Sequence, residues 1–125
     1  MRQIERGEQT VLMNWCDIAA KRDPRIGRIF HVPNGGSRNP IEAANFKRMG
    51  VKAGVPDLFL PAAGDNGEHG LWIEMKAPKG KPTDRQLGWH VYLMGEGYRV
   101  AVCRSWQEGA EAILSYLGHP KHGWL

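Results

Sequence analysis

Cysteine is scarce in this 125-residue chain, which has only Cys16 and Cys103. Two thiols provide neither a disulfide framework nor a zinc-ligand spacing, so a reducing cytosol is the natural compartment. No apolar run approaches the ~20 residues needed to cross a bilayer, and no membrane partner is expected. The opening Met1-Arg2-Gln3-Ile4-Glu5-Arg6 lacks the apolar centre of a secretory signal. There is no internal repeat and no low-complexity tract. What remains is an ordinary globular composition, 42% hydrophobic, suited to a single core. The expectation is one domain over residues 1–125 in the cytoplasm. Residues 118–125 form a loosely held tail in which Trp124 and Leu125 could still dock.

The formal net charge is +4 with histidines neutral. That surplus is compatible with a polyanionic partner without demanding one. Its location says more. Lys76, Lys79, Lys81 and Arg85 follow one another closely, and Arg38, Lys47, Arg48 and Lys52 flank glycine-rich segments. Any one of these cations is accounted for by a solvated surface. Their clustering beside acids favours nucleic acid.

The spacing predicts a helix from Glu5 to about Arg22, with Ile4, Val11, Leu12, Trp15, Ile18 and Ala19 on its apolar stripe. Asp23-Pro24 ends it. Residues 27–32 form a short strand and residues 33–37 a turn. A helix over Pro40–Met49 stops at Gly50. Strands follow at Asp57–Leu60 and Leu71–Lys76, joined as a hairpin across a polar loop. Helices over Thr83–Gly95 and Ser105–Leu117 bracket a strand over Tyr98–Cys103. The order is α-β-α-β-β-α-β-α. It implies an α/β fold in which a small mixed β-sheet is flanked by helices, the Thr83 helix acting as crossover between parallel strands.

Leu71-Trp72-Ile73-Glu74-Met75-Lys76 is the most informative segment. Strand alternation puts Trp72, Glu74 and Lys76 on one face. Gly54-Val55-Pro56-Asp57 delivers a second acid to the start of the neighbouring strand. Two carboxylates held together repel unless a cation lies between them. Asp57 and Glu74, with the backbone carbonyl of Met75, suit Mg²⁺, which takes few carboxylates and keeps waters or substrate oxygens. Singly, Asp57 is equally a turn residue after Pro56, and Glu74 an exposed strand residue paired with Lys76. Lys76 could stabilise transition-state charge, orient the attacking water or act as its base; the sequence does not choose.

Other candidates have structural rivals. Glu8 falls on the apolar stripe of the first helix, where a carboxylate is costly unless paired. A boundary position favoured by the helix dipole also explains it. Thr83-Asp84-Arg85-Gln86 fits a capping box, which would occupy Gln86 without chemistry. Yet Gln86 would also sit at the rim of the site, with Arg85 and the helix-start amides suited to a phosphate. His31 and Asn34, in His-Val-Pro-Asn-Gly-Gly, could contact a DNA backbone or support the metal site. Arg38, Lys52, Lys79, Lys81 and Arg85 complete the expected DNA-binding set.

Taken in order, these motifs resemble the VRR-NUC branch of the PD-(D/E)xK nucleases. Glu8 lies in the first helix, and His31-Val-Pro-Asn34-Gly-Gly follows. Then come Gly54-Val-Pro-Asp57, Ile73-Glu74-Met-Lys76, Thr83-x-x-Gln86 with Trp89, and Gly97 before the last strand. The resemblance implies a restriction-endonuclease-like core and Mg²⁺- or Mn²⁺-dependent phosphodiester hydrolysis in DNA. Asp57 and Glu74 would be the metal ligands, Lys76 the catalytic lysine, and Glu8 and Gln86 accessory site residues. A chain this short is similar to the stand-alone phage and bacterial members, associated with homodimers and branched DNA such as Holliday junctions. The alternatives are a flap or single-strand nuclease, a non-catalytic DNA-binding module of the same fold, and a small protein-interaction domain.

Overall fold

The structure is a computed structural model that describes residues 3–34 and 39–125. The elements are α1 (Gln3–Ala19), a 3₁₀ turn (Pro24–Arg28), β1 (Phe30–His31), α2 (Pro40–Arg48), β2 (Leu58–Leu60), β3 (Leu71–Met75), α3 (Asp84–Gly95), β4 (Arg99–Cys103) and α4 (Trp106–Leu117). The four strands pair in the order β1-β2-β3-β4. The first two pairings are antiparallel and β3–β4 is parallel. This is the mixed α/β sheet expected from the alternation, with α3 as the crossover.

One sheet face carries the core. Leu58, Leu60, Leu71, Ile73, Met75 and Cys103 pack with Leu12 and Cys16 of α1 and with Ala110, Ile113 and Leu114 of α4. Each fully buried aliphatic side chain contributes about 1.5–3 kcal/mol through surface removed from water. Ser105 caps α4 by accepting the Glu108 N–H at 3.2 Å. The two helices meet closely because residue 109 is glycine: a Cβ there would lie 2.6 Å from Leu12 Cδ2. On the opposite sheet face, α3 buries His90 and Leu93, and aromatic rings of Phe59, Trp72 and Tyr98 pack beside it.

Three expectations need correction. Ile4 and Ile18 are 62% and 66% exposed, and Val11 is exposed as well. The buried face of α1 is instead Glu5, Leu12, Cys16 and Ala19. The helix is turned so that Leu12 meets Gly109, which a count of apolar residues along α1 alone cannot reveal. α1 also ends at Ala19, three residues before Arg22. Finally, most of 27–32 is not strand: Asp23 accepts the Arg25 N–H and starts a 3₁₀ turn through Arg28, leaving only Phe30–His31 extended.

The segment after α4 is tied to the end of α1. Trp15 Nε1–H donates to the Trp124 carbonyl at 3.1 Å, and Arg22 donates to the Gly123 carbonyl at 2.8 Å. The Arg22 guanidinium lies 3.8 Å over the Trp124 ring. His119 Nε2 lies 2.8 Å from Asp23 Oδ2, while Leu125 is exposed. Docking at Trp124 is thus realised, and a loosely held tail does not describe residues 119–124.

Candidate active site

The β2–β3 ladder runs from Leu60↔Leu71 to Leu58↔Ile73 and then opens. Beyond it the side chain of Asp57 replaces a strand partner: Oδ2 accepts the Met75 N–H at 2.7 Å. Asn34 Nδ2–H donates to Oδ1 at 2.9 Å. The Asp57 carbonyl accepts the Val32 N–H at 2.8 Å, and His31 Nδ1 lies 3.0 Å from it. Asp57 is therefore fixed at both oxygens and through its backbone, and it is 3% exposed. Asn34, half-buried, supports the Asp57 carboxylate. His31 is exposed and touches the backbone of Asp57.

Glu74 comes from the middle of the same opening and is 1% exposed. Gln86 Nε2–H donates to Oε2 at 3.3 Å, and His90 Nε2 lies 3.2 Å from Oε1. Burial first, and then the Asp57 carboxylate, push the Glu74 carboxyl up to about 9, with a smaller push from Glu5; Lys76 pulls the other way. The exposed strand position foreseen as an alternative for Glu74 is thus excluded. Burial, assisted by the Lys76 charge, also holds the His90 imidazole below its ordinary range. Lys76 is half-buried, with its charge felt at both Glu74 and His90, and it forms no ion pair among the described residues. Asp57 and Glu74 thus lie beside one another, within reach of the Lys76 charge.

Gln86 takes the capping role and also reaches Glu74. Its Oε1 accepts the Thr83 N–H at 2.8 Å and its own N–H reaches Thr83 Oγ1, a complete capping box. Its amide nitrogen still reaches Glu74. Gly54, at φ +91°, carries the loop before Asp57 against α3; a Cβ there would lie 2.7 Å from Arg85 Cγ. Loop and helix start are thereby locked together behind the two acids.

Glu8 shares the helix face of Glu5, Leu12 and Cys16 but is only partly covered. Its side chain makes no hydrogen bond or ion pair among the described residues. The buried acid of α1 is Glu5, one turn earlier, whose Oε1 accepts the Ala77 N–H at 3.2 Å just past Lys76. The signal was present, since Glu5 is also a first-turn acid, but the misjudged phase of α1 hid it. His90 was missed as well. It follows Gln86 by four residues, the spacing that puts two side chains on one helix face.

Of the expected DNA-binding residues, Lys52, Lys79, Lys81 and Arg85 are exposed. Arg85 lines an open groove with Gly88, Trp89 and Tyr92 on the outward side of α3. Arg38, with Gly35 and Gly36, lies outside the described residues. No group of three His, Cys, Asp or Glu side chains among the described residues converges as a complete ligand set.

Among solved structures, a protein described as a VRR_NUC domain protein matches with a TM-score of 0.74 at 35% sequence identity. The match covers 94% of this chain and 91% of the other. The chain matches no curated protein. The family model for the VRR-NUC domain matches residues 5–107, a span that includes Glu5, Asp57, Glu74, Lys76, Gln86 and His90. By that match, together with the arrangement of two acids and a lysine where the β2–β3 ladder opens, the chain belongs to the VRR-NUC domain family, a family of nuclease domains.

Proposed function

We propose that this protein is a divalent-metal-dependent DNA endonuclease that works as a homodimer on branched DNA such as a Holliday junction. The observation that carries the reading is the meeting of Asp57 and Glu74 where the β2–β3 ladder opens, beside Lys76. A pair of acids whose mutual repulsion helps to force a proton onto one of them is suited to a cation. All the donors are oxygens, which fits Mg²⁺ or Mn²⁺. Asp57, Glu74 and the Met75 carbonyl would hold the ion. Bound there, it would supply Lewis-acid polarisation of the phosphate and a more acidic water.

The protein's own groups do the rest. Asn34, Met75 N–H, Gln86 and His90 hold the carboxylates in place. Lys76 brings a positive charge to the reacting phosphate. There it stabilises the negative charge that builds as water adds to phosphorus and the P–O bond to the 3′ oxygen breaks. The products are a 5′-phosphate and a 3′-hydroxyl. Lys52, Lys79, Lys81 and Arg85 form the cationic surface for the backbone, so binding weakens as salt rises. A homodimer suits a junction because two symmetric cuts require two symmetric sites. The setting for such work is the cytoplasm of a bacterium or of a phage-infected host.

The test is a panel of junction, flap, duplex and single-stranded DNAs incubated with Mg²⁺ or Mn²⁺, wild type beside Lys76→Ala. Wild type should cut the junction in two symmetric strands. Lys76→Ala should bind the same DNA and cut it at least ~100-fold more slowly. Salt-sensitive binding with no cleavage of any substrate would convert the reading to a non-catalytic DNA-binding module. Preferential cutting of flaps would retain the nuclease and discard the junction.

A further inference from the structure

Glu74 is held from a different element than the one that carries it. Both of its oxygens face α3, where Gln86 and His90, four residues apart on one face, contribute one nitrogen each at 3.3 and 3.2 Å. Gln86 has no freedom in this contact. Its Oε1 is committed to the Thr83 N–H at 2.8 Å, so its NH₂ must be the group that meets Glu74. His90 is 5% exposed, and its ring is seated by packing rather than by solvent.

We propose that His90 is a positioning residue for Glu74: its Nε2–H, with the Gln86 amide, fixes both carboxylate oxygens from α3 and so sets the direction in which Glu74 faces a bound divalent cation. The proposal rests on the metal reading given above. An imidazole that donates through Nε2 cannot offer that nitrogen to a cation, so His90 acts through Glu74 rather than as a ligand. The wider arrangement follows the same pattern. Asp57 is likewise held at both oxygens, by Asn34 and by the Met75 N–H. Each acid thus has two dedicated partners, and two of the four, the Met75 N–H and His90, have purposes that the sequence motifs do not suggest. Partners of this kind orient ligands and raise metal affinity.

The experiment measures Mn²⁺ binding to the full chain without DNA by calorimetry, with folding followed by circular dichroism. His90→Leu removes the donor at similar bulk and should weaken Mn²⁺ binding about tenfold or more. His90→Gln retains an N–H donor and should recover most of that loss. Two further results overturn the proposal: unchanged affinity in a folded His90→Leu, or a His90→Gln as impaired as His90→Leu. Should His90→Leu fail to fold, the wild type decides. In the Mg²⁺-saturated protein, ¹⁵N-edited imidazole spectra should show His90 Nε2 carrying a proton; a deprotonated Nε2 would leave Glu74 without this donor and sink the idea. Absence of Mn²⁺ binding to wild type is a separate result, which defeats the metal reading itself.

Discussion

The Oδ2 of Asp57 accepts the Met75 N–H at 2.7 Å, in a place where a neighbouring strand would otherwise supply a carbonyl. One side chain therefore both ends the β2–β3 ladder and brings an acid next to Glu74. The sheet is opened by the residue that the opening serves.

Asn34 holds the other oxygen of Asp57. Asn34→Ala should weaken Mn²⁺ binding about tenfold, as loss of a partner behind a metal ligand commonly does. The salt dependence of DNA binding should be unchanged. If Asn34 instead contacts the DNA backbone, DNA affinity will fall at every salt concentration, with the slope unchanged because the side chain is neutral, while Mn²⁺ binding stays intact. Titrating Asn34→Ala beside wild type separates these roles.

The Glu74 carboxyl, lifted to about 9 by burial and by Asp57, makes metal-free stability depend on pH in a definite direction. In the unfolded chain this group ionises near its ordinary 4.5. Between those two values the folded protein holds a proton that the unfolded chain has released, so stability falls as pH rises through that window. Thermal melting in chelator should show the decline. Glu74→Gln, which has no proton to lose, should flatten it and abolish cleavage.

Glu5 and Glu8 can be told apart directly. Glu5→Gln keeps a carbonyl for the Ala77 N–H but removes the charge that Glu74 senses. It should fold normally and lower the cleavage rate on the order of tenfold, the scale of losses around a metal site. Glu8→Gln should leave the rate near wild type. Wild-type rates for both variants would remove the first helix from the site.

Asp23 lies at a junction of Arg25, His119 and the turn after α1. The hydrogen bonds from Arg25 hold its carboxyl well below the usual range against the cost of burial, with His119 adding to them. Its contribution is present above the ordinary carboxylate pKa and is lost as pH falls through that range and below. Asp23→Asn should cost about 0.5–1.5 kcal/mol at neutral pH, the usual net worth of a hydrogen bond whose partners still reach solvent, and should reduce the acid sensitivity of the melt.

Much of this was legible in the sequence, for identifiable reasons. Strand alternation alone put Glu74 and Lys76 on one face, and Pro56-Asp57 marked where the second acid enters. The capping box of Thr83 and Gln86 fixed the start of α3. The phase of α1 was not legible, because it is set by Leu12 against Gly109 and by the Ala77 N–H finding Glu5, contacts far apart along the chain. Apolar Ile4, Val11 and Ile18 gave a plausible but false stripe for the same reason. The contact between the two acids' strands through the Asp57 side chain was equally hidden, since no local pattern distinguishes an aspartate that ends a turn from one that replaces a strand.

The scarcity of cysteine has a practical sequel. Cys16 and Cys103 are both buried in the core, and burial raises each thiol to about 12, so neither offers a nucleophilic thiolate at neutral pH. A maleimide fluorophore should therefore attach only to a cysteine introduced at an exposed position such as Lys79 or Lys81. Energy transfer from that single dye to labelled DNA arms could then follow the geometry of an encounter in real time, with both native thiols left in place.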